Sequence, residues 1–209
     1  MELNQAELTT QALEALRDPS RFQWAFVIYL AFVVYLYVNE IEKRNWRAVA
    51  AGLALYSVHW FFEIANALIQ HFTAHALWTA PAGSFYLILV GVGIEISMMF
   101  SVAGLILTKI LPQDRSMKIL GLNNRLFFAI ANALLFALIE IPLAMTPVFH
   151  WTYPWWGALT VWIFVYIPFF LAANLIYDQS PRVQRLFIGA MFLLDALLFV
   201  VFALILRWI

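Results

Sequence analysis

The chain has 209 residues, of which 65% are hydrophobic, 17% aromatic and only 11% charged, with zero net charge and no cysteine. A soluble domain carries about 25% charged residues, so this composition describes an integral membrane protein, and the charge balance leaves no basic footprint for nucleic acid. The missing cysteines exclude disulfides, thiolate metal sites and cysteine nucleophiles.

Residues 1–22 read as a separate external or interfacial segment. They are too polar for a cleaved signal peptide, which starts with a basic and then an apolar stretch. Leu3, Ala6, Leu13 and Leu16 suggest a short amphipathic helix lying on the outer membrane surface. A frayed polar tail fits the same residues.

Residues 23–209 read as one transmembrane domain. A spanning helix needs about 20 mostly apolar residues. Six runs qualify, at approximately 23–38, 48–69, 85–110, 126–145, 155–177 and 186–206. Pro19, Pro81, Pro112, Pro154 and Pro181 mark boundaries, while Pro142 and Pro168 fall inside runs, where a proline kinks a helix and frees a carbonyl. The expected fold is therefore all-α, a six-helix transmembrane bundle.

Loop charges orient it. Lys43, Arg44 and Arg47 lie in the first loop, Arg115, Lys118 and Arg125 in the third, and Arg182 and Arg185 in the fifth. The second and fourth loops contain no lysine or arginine. The odd loops are then cytoplasmic and both termini external, in a bacterial inner (plasma) membrane. The second and fourth runs also share an echo: residues 61–68 and 127–134 agree at seven of eight positions, with Ala129 standing where the first has Glu63. A parallel duplication is one explanation, and chance similarity between apolar segments is the other.

The apolar runs contain four acids, Glu63, Glu95, Glu140 and Asp195, without a lysine or arginine at the same depth. An ionisable group at the bilayer centre costs roughly 2.5–3.5 kcal/mol even on lenient scales, and marks a functional site by default. In the second run His59, Glu63, Asn66 and Gln70 form one polar stripe, because spacings of four, three and four keep to one helix face. Counting about 1.5 Å per residue, Glu63 lies roughly 10 Å below the outer boundary, Glu95 about 15 Å and Glu140 about 8–12 Å. Together they predict an outward-opening polar cavity.

A carboxyl there can carry its proton, hydrogen-bond to a neighbour, or bind a cation. The first option makes Glu63, with His59, Glu95, Glu140 and Asn66, a general acid/base site. The third makes Glu63, Glu95, Glu140 and His59 ligands for a divalent metal such as iron, manganese or zinc. Asp195, alone on its helix, is as readily interhelical glue. His71, His75 and His150 are peripheral candidates that interfacial positions explain equally well. Trp60, Tyr56, Trp162 and Tyr166 are deep enough to line a cavity for a long apolar substrate, although packing between helices accounts for the same rings. No phosphate loop, zinc-protease motif or nucleophile elbow is present.

The sequence thus describes an integral membrane enzyme acting on a hydrophobic small molecule, such as a lipid, isoprenoid or long-chain compound, with membrane lipid as its surroundings. A proton- or cation-coupled transporter is the first alternative. A non-catalytic membrane subunit, with its acids as packing glue, is the second.

Overall fold

The computed structural model describes residues 5–209. Of the predicted amphipathic stripe, Leu3 and the side chain of Ala6 lie outside the described residues. The chain is a helix bundle with three small two-stranded ribbons. Helix α1 (Gln5–Ala15) precedes α2 (Phe26–Glu42) and the central α3 (Trp46–Thr73). After α3 come β1 (Trp78–Thr79), then β2 (Leu87–Leu89) and β3 (Val92–Gly93), which lead straight into α4 (Ile94–Leu107). Strands β4 (Lys118–Ile119) and β5 (Leu122–Asn123) lead in the same way into α5 (Asn124–Ala144). Strand β6 (His150–Trp151) follows and pairs back to β1. The fifth apolar run is one rod: α6 (Ala158–Val161), a wide π turn over Trp162–Tyr166, and α7 (Ile167–Tyr177). The last is α8 (Pro181–Phe199), continuing as a π segment over Val200–Ile205.

Four helical rods, Trp46–Thr73, Asn124–Ala144, Ala158–Tyr177 and Pro181–Ile205, are long and apolar enough to cross a membrane. The other two, α2 with 17 residues and α4 with 14, are shorter. The central rod is α3, which packs against α4, α7 and α8. Its small residues allow the approach: at Gly104 of α4 an added Cβ would stand 2.7 Å from the Ala51 carbonyl oxygen.

The structure corrects the sequence reading in the third apolar run. That run is helical only from Ile94, because its first third is the β2–β3 hairpin. Leu89 pairs with Val92 across a two-residue turn containing Gly91. The ladder bonds of the hairpin, with donors from Arg17 and Ala80 outside it, satisfy its carbonyls, so it can be buried without being a helix. The described part of the N-terminal segment packs on this hairpin. Ala12 and Ala15 are buried against Leu87, Leu89, Val90 and Val92 of the hairpin and Ile64 and Ala67 of α3. Arg17 fixes the join, donating from its backbone N–H to the Leu87 carbonyl (2.9 Å) and from Nε to that of Ile88 (3.0 Å).

The opposite end is closed by charge. Asp178, just beyond α7, accepts from Arg125 Nε (2.5 Å), Arg47 Nη2 (2.5 Å) and Arg115 Nε (3.1 Å). Asn174 donates to the Arg125 carbonyl (2.9 Å). Beside it, buried Glu40 accepts from Lys109 Nζ (2.5 Å) and Asn45 Nδ2 (2.7 Å). These two clusters tie the ends of α2, α3, α4, α5 and α7 together.

Candidate active site

A cavity of about 560 Å³ lies at the other end of the bundle, among α2, α3, α4, α5 and the π turn before α7. Its walls are mostly apolar, with Phe100, Phe136 and Phe169 among them. Its polar groups are few: Tyr29 from α2, Glu63 and His59 from α3, Glu95 from α4, Glu140 from α5, Tyr166 from the π turn and Trp78 from β1. No lysine or arginine lines it. Five of the predicted site residues, His59, Glu63, Glu95, Glu140 and Tyr166, therefore meet in one space.

Helical spacing places His59 and Glu63 on one face of α3, one turn apart. His59 is fully buried and stacks on Phe100, with ring centroids 4.4 Å apart. Its Nδ1 stands 3.8 Å from Glu63 Oε1, beyond hydrogen-bond reach, and neither ring nitrogen has a partner among the described residues. Glu63 is buried, and the Trp78 indole N–H donates to both of its oxygens, at 3.2 and 3.4 Å. Glu140 is half-buried and accepts from the Trp151 indole (3.2 Å) and from the Tyr166 hydroxyl.

The support for these acids comes from two local devices. Trp78 and Trp151 are directly opposed in the β1–β6 ribbon, so both rings project from the same side of it. The ribbon is held by Asn66, whose Oδ1 accepts from the Leu77 N–H (2.8 Å) and whose Nδ2 donates to the Trp78 carbonyl (2.9 Å). The second device is the π turn. Pro168 has no N–H and crowds the carbonyl four residues earlier. The wider turn before it, with the Ile167 N–H bonded to the Trp162 carbonyl, turns Tyr166 toward Glu140.

Glu95 reaches the cavity by another route than expected. It sits in the first turn of α4 and accepts from the Phe85 N–H (3.1 Å), because the chain before it is a hairpin rather than helix. Asn66 does not line the cavity but positions its roof. Tyr56 and Trp60 line a separate space between α2, α3 and α4, not this one. Trp162 also points elsewhere, donating to the Ile130 carbonyl (3.1 Å). Gln70, the end of the predicted stripe, faces a third space beside α1. Asp195 is buried on α8 with both carboxyl oxygens unpartnered among the described residues, away from the cavity. His71 stacks on Trp208 (4.6 Å) and His75 lies past the end of α3, where Ala74 turns left-handed, so the two do not share a helix face. His150 is in β6. Nothing in the sequence around Trp78 and Trp151 marks them as site residues. Their pairing depends on a ribbon between residues 73 positions apart, which no local pattern announces.

The cavity is less polar than expected, since its walls are mostly apolar. Helices α4 and α5 scarcely touch. Phe100 and Phe136 bridge them, with centroids 5.6 Å apart. Beyond that bridge, exposed Met99 of α4 and Ile139 and Leu143 of α5 border a slot. Among the described residues, no group of three or more His, Cys, Asp or Glu is placed to hold a metal ion. Glu63, Glu95, Glu140 and His59 share walls of one cavity without converging on one point.

The bundle of long apolar helices is that of an integral membrane protein. Residues 6–204 match the profile of an uncharacterized membrane protein family, and the chain belongs to that family. It is 44% identical over 208 residues to an uncharacterized protein of Archaeoglobus fulgidus, covering 97% of this chain and 99% of that one. No solved structure matches it.

Proposed function

We propose that this protein is a membrane enzyme that takes a hydrophobic substrate from the lipid and transfers a proton to or from it at Glu63. The observation that carries this reading is an apolar cavity that holds Glu63, Glu140, His59 and Tyr166 and is bordered by exposed Met99 of α4 and Ile139 and Leu143 of α5, two helices that scarcely touch. Glu140 has an acceptor bond on each oxygen, from Tyr166 and Trp151, and is held in place. Glu63 has one donor, Trp78, and faces the space that a substrate would fill, so it is the group free to exchange a proton. The glutamate pair, with His59 beside it, gives the acid/base role to the carboxyls.

The bundle would sit in a plasma membrane with α2 and α4 completing a set of six crossing helices. The ends rich in Lys43, Arg44, Arg47, Arg115, Lys118 and Arg125 would face the cytoplasm. The cavity then lies in the outer half. The Asp178 and Glu40 clusters close the inner half, which favours an enzyme over a transporter with access from both sides.

The test compares lipid extracts of host cells making the wild-type chain or Glu63→Gln. A species that only the wild type consumes, with its product, supports the enzyme. Identical extracts, together with a cation or proton flux in proteoliposomes that Glu63→Gln abolishes, would replace it with the transporter.

A further inference from the structure

We infer that the substrate of this site is a lipid-soluble amine, bound as its ammonium ion with its N–H groups toward Glu63 and His59 and its tail in the α4–α5 slot. The inference rests on the enzyme reading of the same cavity and names its substrate class.

The first argument is charge. Three carboxyl groups, Glu63, Glu95 and Glu140, line the cavity, and no lysine or arginine does. An anionic head group would meet only like charge. A cation supplies the partner that the protein omits, and buried charges are stable when paired.

The second argument is hydrogen bonding. His59 is fully buried on the cavity wall, yet neither ring nitrogen has a partner among the described residues. A neutral imidazole offers one donor and one acceptor. Tyr166 and Trp151 already occupy Glu140, whereas Glu63 has only the long Trp78 bond. The acceptors with capacity to spare are thus an imidazole nitrogen and a Glu63 oxygen, Nδ1 and Oε1 standing 3.8 Å apart. One ammonium with two N–H groups satisfies both. A quaternary ammonium has no N–H for His59, and an alcohol has only one O–H.

The third argument is the wall. Phe100, Phe169 and Tyr166 present rings near His59 and Glu63, and aromatic faces attract cations. The cavity's size is that of an ordinary small-molecule site. The slot bordered by Met99, Ile139 and Leu143 gives an alkyl chain a path to the lipid.

The test uses the full chain in nanodiscs and terminally brominated dodecylamine, dodecanol, dodecanoic acid and dodecyltrimethylammonium as quenchers of tryptophan fluorescence. The amine should saturate at a concentration about tenfold below the alcohol, as a charge-assisted hydrogen bond predicts. The acid should show only unsaturable partitioning. In Glu63→Gln the amine should lose its advantage over the alcohol, and in His59→Leu its advantage over the trimethylammonium probe. Equal saturation by amine and alcohol on the wild-type chain overturns the inference, and this ranking does not depend on any variant folding. A Glu63-dependent lipid conversion with no preference for the amine would leave the enzyme standing without this substrate class. Amine-selective binding without any conversion would do the reverse.

Discussion

Trp78 and Trp151 face each other across the β1–β6 ribbon, and each donates its indole N–H to a different glutamate, Glu63 on α3 and Glu140 on α5. One two-residue ribbon therefore fixes the distance between two acids carried on separate helices. Replacing Trp78 with Phe keeps a ring in the roof and removes only the donor. The expected cost is about 1–2 kcal/mol, the worth of a hydrogen bond to a carboxyl group, together with loss of the Glu63-dependent lipid conversion. Thermal unfolding in nanodiscs reads the first and lipid extracts the second. Full conversion by Trp78→Phe would show that the indole does not position Glu63.

Much of this architecture was legible because burial leaves a pattern. The spacing of His59 and Glu63 placed both on one face of α3, and Glu140 was found by its isolation in an apolar run. What stayed hidden was long-range. The run beginning at residue 85 looks like helix by hydropathy alone, yet Val90, Gly91, Val92 and Gly93 fold it into a hairpin. Hydropathy reports burial, and a buried hairpin is as apolar as a buried helix. The roof over Glu63 and Glu140 depends on the pairing of two strands too short to register as strands. Tyr56, Trp60 and Trp162 are apolar-facing rings, and sequence depth does not say which of several gaps a ring borders.

Asp178 offers a test of the closed end. Burial pushes its carboxyl up, but the Arg125 hydrogen bonds and the charges of Arg125, Arg115 and Arg47 outweigh this, and it titrates below its ordinary value. A depressed carboxyl stabilises the fold fully above its unfolded pKa of about 3.9 and loses that contribution as the pH falls through the lower folded value. Stability from this group should therefore be flat from neutral pH down to about 4 and fall below that. Asp178→Asn should remove the acid-side fall and cost about 3–5 kcal/mol at neutral pH, because buried Arg125 loses its charge partner. Unfolding midpoints across this pH range check both. An unchanged acid limb in Asp178→Asn would assign the fall to other carboxyls.

The α4–α5 slot can be tested by covalent plugging, since the chain has no cysteine. Met99→Cys lies at its edge, where Met99 is 45% exposed. A lipid-soluble maleimide should label it and abolish lipid conversion. Leu193→Cys on α8, 62% exposed and away from the cavity, should label equally well and keep conversion. Equal inhibition at both positions would mean that labelling harms the bundle in general. Retained activity at Met99 would place substrate access elsewhere.

Gly91 tests how tightly the hairpin holds the roof. A Cβ at this position would stand 2.4 Å from Trp78 Nε1, the atom that donates to Glu63, and 2.6 Å from Asn66 Nδ2, which holds the Trp78 carbonyl. Neither atom can move without breaking one of those bonds. Gly91→Ala should cost about 1–3 kcal/mol, the range for an overpacked core, and should impair conversion as Trp78→Phe does. The two changes share a cause, so they should not add. In the Trp78→Phe background the ring still crowds the added methyl group through Cδ1 (2.5 Å), but the Nε1 bond to Glu63 is no longer there to lose, so the change should cost less than in the wild-type chain. A double-mutant cycle of unfolding free energies measures the difference. Equal costs in both backgrounds would show that the hairpin and the tryptophan act independently, and that the roof over Glu63 is held by Asn66 alone.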